Sequence, residues 1–197
     1  VVNAKVRELV KDQVAVGKLF QYEEAVYYVW RMASSDQVQT GLVGGAAVDD
    51  YEDGTIRRHE QTRAAKQADR IEHIRATRAQ TGPIFLTYRD ESAIDTLISL
   101  ATAASPLYDF IDGDGCHHSI WRIARSGAVD SLRLMFDRIP AAYIADGHHR
   151  AASAVAVCEQ MRSQARNEGG APATDASGFV ASDLFLAVLF PASQLKI

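Results

Sequence analysis

The side chains best suited to chemistry in this sequence lie in one short run, Asp146-Gly147-His148-His149-Arg150. Tyr143 and Ile144, set among small residues, indicate a buried strand before the run, and an Ala-rich helix to about residue 166 follows it. We expect Asp146 to be the helix N-cap and Gly147 to allow positive φ or a close backbone approach. Three potentially cationic side chains would then occupy the first helical turn, where the helix dipole disfavours them. A bound anion would offset that cost, so the run predicts a phosphate-binding strand–turn–helix, against the alternative of a capped helix with surface histidines.

A second group of candidates is His59 and Glu60, which follow the turn signal Asp53-Gly54. On a helix predicted over residues 62–79, polar side chains recur at three- and four-residue spacing and share one face: Lys66, Asp69, Arg70, His73 and Thr77. That face is either solvated or a wall of a site that His59 and Glu60 also line. We take His59 and Glu60 as candidates for orienting a substrate or acting as its base.

Two pairs of adjacent histidines, His117-His118 and His148-His149, suggest metal binding at first sight. Adjacent side chains diverge on both strands and helices, so such a pair rarely supplies two ligands. HExxH and paired CxxC spacings do not occur, and we therefore predict no dedicated transition-metal site. Mg²⁺ held mainly through substrate phosphates is a candidate cofactor, with carboxylates available at Asp50, Glu52, Asp53 and Glu60.

Other common chemistries lack their motifs. There is no GxSxG elbow, no Walker loop and no GxGxxG. Cys158 is expected to be a packed thiol inside a helix, and Cys116 lies beside His117 in a predicted hairpin, where such a neighbour is usually incidental. The two cysteines are not in CxxC spacing, which favours reduced thiols in a cytoplasmic protein.

Composition narrows the classes of partner. The net charge is −4, and no run of Lys or Arg exceeds a pair, which disfavours a nucleic-acid-binding surface. The apolar stretches are too short to span a bilayer, so no membrane partner is expected. These observations favour a small-molecule partner and leave a homo-oligomer open.

Hydrophobic patterning predicts an α+β or mixed α/β protein in which helices and strands interleave around a mixed sheet. At 197 residues the chain suits a single domain, 1–197. A mobile loop is predicted at 167–178, and Gly44-Gly45 indicates a bulge or a close backbone approach. Besides the motif, the predicted strands are 25–32, 39–48, 84–88, 107–111, 120–124 and 184–190, and the predicted helices are 5–20, 62–79, 93–103 and 129–138.

These motifs together resemble a prokaryotic family known only as domain-of-unknown-function family 1015. The resemblance rests on residues 144–150, the stretch 50–62, Asp69-Arg70 with 76–79 and 82–85, Trp121-Arg122-Ile123, and 189–197. That family is similar in turn to the ParB/sulfiredoxin-like superfamily, which includes a free serine kinase and in which a loop at a helix start grips nucleotide phosphates. The resemblance also implies that residues are missing near 4–5 and beyond 197, among them an acidic residue that the kinase-like relatives use.

The resemblance implies a ParB/sulfiredoxin-like core with hairpins and flanking helices. It also implies that the nucleotide phosphates are bound by Gly147, His148, His149 and Arg150, with ATP or ADP as the first candidate nucleotide. His148 and His149 stand where sulfiredoxin has its cysteine, so sulfinic-acid repair is not expected. We expect a phosphotransferase acting on a small hydroxylated metabolite such as a serine-like amino acid, with His59, Glu60, Asp146 and His148 as catalytic candidates. The alternatives are a nucleotide-sensing regulatory module without turnover and a metal-dependent hydrolase that uses the paired histidines.

Overall fold

The computed structural model describes residues 2–20, 22, 24–62, 64–169 and 180–195, without the side chains of residues 2–4 and 64–66. Within these ranges the helices are α1 (Val2–Ala15), α2 (Val48–Glu52), α3 (Ala64–Thr77), α4 (Ser92–Thr102), α5 (Ser126–Phe136) and α6 (His148–Asn167). The strands are β1 (Tyr27–Ala33), β2 (Val38–Ala47), β3 (Ile56–Arg57), β4 (Ile84–Tyr88), β5 (Tyr108–Ile111), β6 (His117–Ile123), β7 (Ala142–Asp146) and β8 (Leu184–Pro191). Two short 3₁₀ helices, Ala181–Asp183 and Ala192–Gln194, flank β8.

Each predicted strand and helix occurs, most with shifted ends, and β4 has the predicted bounds 84–88. The helix predicted over 5–20 ends at Ala15, where the chain turns through Gly17 at a φ of +71°. The structure adds β3 and α2, which are too short to show a periodic pattern. Most of the loop predicted at 167–178 lies outside the described residues, and α6 extends to Asn167.

The strands form one mixed sheet in the order β3-β7-β4-β8-β2-β1-β6-β5. The pairs β3–β7 and β4–β8 are parallel, and the remaining neighbours are antiparallel. The predicted hairpins are β1–β2 and β5–β6. With six helices and this mixed sheet in the described ranges, the predicted α+β class is confirmed.

The main hydrophobic core lies on one side of the sheet. Ile84, Leu86 and Tyr88 alternate along β4 and therefore point to the same side, where all three are buried. Ile84 and Leu86 pack with Ala151 and neighbouring residues of α6, whereas Tyr88 packs under α4 and α5. Two helical groups thus cover adjacent halves of the same sheet face, and α3 packs on α6 while α1 packs on α3.

Gly44 and Gly45 make close approaches rather than a bulge. A Cβ on Gly44 would lie 2.7 Å from the Tyr27 ring, and a Cβ on Gly45 would lie 2.9 Å from Leu184. The pairing of β2 with both neighbours is regular through this stretch. Glycine therefore lets large side chains of the adjoining strands lie across β2.

The opposite face of the sheet carries an aromatic cluster. The Trp30 ring contacts Phe85 edge-on at 6.2 Å between centroids, and Phe85 contacts Phe190 at 5.5 Å. Gly41 makes room for this cluster, since a Cβ there would lie 2.6 Å from Val188 and 2.8 Å from the Phe190 ring. None of the helices in the described ranges is long and apolar enough to cross a bilayer.

Candidate functional site

The turn between β7 and α6 carries the Asp-Gly-His-His-Arg run, and Gly147 is its N-cap residue. Gly147 has φ +99° and ψ +23°, and its carbonyl accepts the first helical hydrogen bond, from Ala151 N–H at 2.9 Å. The prediction that Asp146 caps the helix is wrong, because the turn needs a positive φ at the cap position and glycine supplies it. Asp146 instead ends β7. His148, His149 and Arg150 occupy the first turn of α6, as expected.

The Arg150 guanidinium lies across the glycines at the base of the site. Its Nη2 donates to Asp146 Oδ2 at 2.5 Å, forming an ion pair between residues four positions apart. A Cβ on Gly147 would lie 3.0 Å from Arg150 Nε and Nη2, and a Cβ on Gly82 would lie 3.5 Å from Nη1. Gly82 was not predicted to be a site residue, and its lack of a side chain leaves room for the guanidinium.

Two buried side-chain nitrogens at this turn have no hydrogen-bond partner. Arg150 Nε and His149 Nδ1 are buried and have no hydrogen-bond partner among the described residues. The backbone N–H groups of the first helical turn also have no intrahelical acceptor. An unsatisfied buried polar group costs roughly 1–3 kcal/mol, and an anion at the helix start would remove that cost.

The His148 side chain is buried against the loop that follows β3. Its Nε2 accepts the His59 backbone N–H at 3.5 Å, and its Nδ1 lies 3.5 Å from Glu60 Oε2. The His59 and His148 rings meet edge-to-face at 4.4 Å. Since Nε2 accepts, the proton of the neutral ring belongs on Nδ1, facing the carboxylate. Burial, then the nearby His59, lowers the pKa of His148, which keeps the ring neutral at pH 7.

The pairing of β3 with β7 brings these distant segments together. The two strands are parallel, with Ile56 opposite Ala142 and Arg57 opposite Tyr143. The segments that follow parallel neighbours leave the sheet at the same end. His59 and His148, each two residues beyond its strand, are therefore adjacent although 89 positions separate them.

A bulge in β7 alters the alternation of side chains just before the turn. Ile144 pairs with Leu86 but Asp146 pairs with Phe85, so Ala145 is the extra residue. A bulge changes which residues of a strand share a face of the sheet. Asp146 therefore does not follow the two-residue alternation that would place its side chain on the same face as that of Ile144. The expectation that Tyr143 is buried is wrong, because only one face of β7 meets the core. Tyr143 is 44% exposed and lies beneath the Arg57 guanidinium, 5.5 Å from its ring centroid.

The C-terminal end of α3 forms a further wall of the site. Thr77 is buried and donates to the His73 carbonyl at 2.8 Å, and His73 Nε2 lies 3.4 Å from Thr81 Oγ1, next to Gly82. Arg78 adopts a φ of +52°, which reverses the chain at the helix end. Thus part of the predicted polar face of this helix contacts the loop beneath Arg150, while the Lys66 side chain lies outside the described residues.

Two side-chain groups bring together atoms that could ligate a cation. His59, Glu60 and His148 form one, and Asp112, Cys116 and His118 form the other, with ligand atoms within 4.8 Å of one another in each. In both, a backbone or indole N–H is directed at the buried histidine: His59 N–H at His148 Nε2, and Trp30 Nε1–H at His118 Nδ1. If the other ring nitrogen bound a metal ion, the proton of the neutral ring would move onto the nitrogen that accepts this N–H. Two N–H donors would then face each other, which disfavours a metal ion at either group.

The carboxylates proposed for Mg²⁺ separate in space. Glu60 contacts the site through His148, whereas Asp53 Oδ1 accepts from Thr55 N–H at 2.8 Å and Glu52 lies 3.8 Å from Arg162 Nη1. Burial raises the pKa of Asp50, with like charges adding to the effect. Of these four acids, Glu60 is the one for which a contact with the β7–α6 turn is observed.

Neither cysteine belongs to the turn. Both are free thiols, and the predicted packing of Cys158 inside a helix is confirmed. Burial raises the pKa of Cys158 to about 12, and its Sγ donates to Asp183 Oδ1 at 3.2 Å. Cys116 lies in the β5–β6 hairpin, where its N–H donates to Asp112 Oδ1 at 2.9 Å.

Fold and site together define an α+β protein with a mixed eight-stranded sheet and an Asp-Gly-His-His-Arg turn at a helix start. The chain belongs to the family described as "Protein of unknown function (DUF1015)", which matches residues 2–197. No curated protein and no solved structure shows significant similarity to it. The family assignment made from the motifs is therefore confirmed, and the ParB/sulfiredoxin-like core stays a prediction.

Proposed function

We propose that the chain binds a nucleotide through its phosphates at the β7–α6 turn and transfers a phosphoryl group to a small hydroxylated metabolite. ATP or ADP is the first candidate nucleotide, and a serine-like amino acid is one candidate acceptor. The observation that carries the proposal is the pair of buried nitrogens without partners, Arg150 Nε and His149 Nδ1, at the helix start where the first-turn amides have no intrahelical acceptor. Such an arrangement suits a multiply charged anion.

Each group at the site has a distinct part in this reaction. The first-turn amides and Arg150 would neutralise charge on the transferred phosphoryl group, which is the main requirement of phosphoryl transfer. The acceptor hydroxyl would attack the terminal phosphorus as the bond to the bridging oxygen breaks, and its proton would pass to a base. Glu60 is our candidate for that base, with His59 beside it in the same exposed loop.

His148 would position this base rather than contact phosphate. Both of its ring nitrogens face the loop that carries His59 and Glu60. The side chain thus joins the acceptor side of the site to the phosphate-binding turn. Mg²⁺ would be held mainly by the nucleotide phosphates. We further propose a cytoplasmic location for the protein.

The binding step is tested by replacing Arg150 with Ala and measuring ATP and ADP affinity by calorimetry. Loss of a charge-assisted contact worth about 1.5–3 kcal/mol should weaken binding by roughly 10- to 100-fold. Arg138→Ala, at an exposed arginine after α5, is the matched control and should bind like the parent protein. Equal affinity in all three proteins, with unchanged circular dichroism, would contradict the proposal.

Turnover is tested separately from binding. The protein is incubated with ATP and a mixture of hydroxylated amino acids, and ADP and phosphorylated products are measured by mass spectrometry. We expect product from the parent protein, and a large loss of rate with intact ATP affinity in Glu60→Gln. Tight nucleotide binding with no product would favour the nucleotide-sensing module instead.

A further inference from the structure

The edge of the sheet at β5 exposes an unusual amount of apolar surface. Leu107, Tyr108, Phe110 and Ile111 are 45%, 55%, 50% and 69% exposed. Among the described residues, no strand pairs with the outer side of β5. Edge strands in soluble proteins are usually kept short or protected by charge, because their free backbone groups invite another strand. The opposite edge fits that rule, since β3 has two residues and carries the exposed Arg57.

Side-chain contacts also hold the β5 edge against β6. The Phe110 ring stacks on His118 at 5.0 Å with an interplanar angle of 22°. His118 in turn accepts from Trp30 Nε1 at 3.0 Å, and its Nε2 lies 2.9 Å from Asp112 Oδ2. A strand already fixed in its extended form loses little conformational entropy on pairing, so this edge is prepared for a partner.

Charge is distributed unevenly along this edge. The hairpin at the Ile111 end carries the acidic residues Asp112 and Asp114. At the Tyr108 end, Lys18 lines the same groove as Tyr108, and the Arg122 guanidinium lies over Tyr22 of that groove, 4.6 Å from its ring centroid. Two carboxylates therefore lie at one end of the edge and two basic side chains near the other.

We propose that two copies of this chain associate through antiparallel pairing of β5 with β5 across a two-fold axis perpendicular to the sheet. That operation places the acidic end of each copy beside the basic end of the other, so the edge is complementary to itself. With Phe110 at the axis, its ring meets its symmetry mate, and Asp109 lies opposite Ile111. The two sheets become one, and the apolar side chains of the two β5 strands lie beside one another. The surface is remote in sequence from the β7–α6 turn, and the association does not depend on the nucleotide proposal.

The test is sedimentation velocity of the purified chain at concentrations from below to above micromolar. A reversible monomer–dimer equilibrium is expected, and a monomer at every concentration overturns the proposal. Ile111→Glu should raise the dimer dissociation constant by about tenfold or more, because it sets like charges opposite Asp109 of the other copy. Leu100→Glu makes a similar change at an exposed leucine of α4, 67% exposed, and should leave the dimer intact. A dimer that Ile111→Glu does not weaken overturns the proposed surface.

A charge exchange tests the orientation. Asp114→Lys should weaken the dimer by bringing a cation beside Lys18 of the other copy, and Lys18→Glu alone should weaken it by the same logic. The double variant restores opposite charges and should recover most of the lost affinity. Additive weakening in the double variant would exclude the antiparallel arrangement, and a circular-dichroism spectrum like that of the parent shows that each variant is folded.

Discussion

Replacing Gly147 with Ala adds one methyl group at the cap of α6 and tests whether the backbone turn and Arg150 form one anion site. Gly147 has φ +99°, a conformation that costs an L-residue about 1–3 kcal/mol. For a protein of this size, each kcal/mol lowers the melting temperature by about 2–4 °C. The backbone effect alone should therefore lower the melting temperature by roughly 2–12 °C.

The added methyl group also makes a close steric contact, which is an effect separate from the backbone strain. Its ideal position lies 3.0 Å from Arg150 Nε and Nη2. Comfortable non-bonded contacts begin near 3.5 Å, so the guanidinium must move by about half an ångström. That displacement should misalign its hydrogen bonds to a bound phosphate and weaken nucleotide affinity by about tenfold.

Gly54→Ala separates these two effects. Gly54 also has a positive φ, +87°, but nothing lies within 4 Å of a Cβ built on it. Both variants should lose thermal stability by differential scanning calorimetry, and only Gly147→Ala should lose ATP affinity by isothermal titration calorimetry. Equal nucleotide affinity in the two variants would refute the placement of phosphate beside Arg150 at this turn.

Three further outcomes follow from buried or paired groups. The lowered pKa of His148 means that the unfolded state binds a proton more readily than the folded state. Stability should therefore fall as pH drops below about 6.5. His148→Gln should flatten that part of a plot of melting temperature against pH. A thiol reagent should modify Cys116 in the native protein and Cys158 only after unfolding, because the pKa of Cys158 is raised to about 12; rapid double labelling, seen by intact mass, would contradict this. Arg162 contacts three carboxylates, and Arg162→Ala should lower the free energy of unfolding in urea by about 1–2 kcal/mol, whereas the neighbouring surface change Arg166→Ala should have little effect.

The β7–α6 motif could be predicted from sequence because its signal is local. A short apolar strand, a glycine and an Ala-rich helix follow one another, and each shows its usual pattern within a few residues. What local pattern could not distinguish is which residue adopts the cap conformation. Asp146 has the side chain of a good N-cap, yet Gly147 takes that position because the turn needs a positive φ.

The contact of His59 and Glu60 with His148 could not be predicted in the same way. It depends on parallel pairing of β3 with β7, and β3 has only two residues, too few to show alternation. The extra residue at Ala145 and the approach of Gly82 to Arg150 likewise depend on pairing between segments far apart in sequence. His59 and Glu60 were identified by residue type, and their neighbours are a product of the tertiary fold.

The order in which the strands are synthesised differs sharply from their order in the sheet. β8 is the last of the described strands in chain order, yet it lies between β4 and β2, near the centre of the sheet. During translation, β2 and β4 would each expose an unpaired edge until residues 184–191 leave the ribosome. Contacts of such large sequence separation form slowly, and the waiting edges are exposed to aggregation. The halves of the sheet can therefore join only after β8 has been made, and substitutions in β8 should reduce the yield of folded protein even when they lie far from the β7–α6 turn.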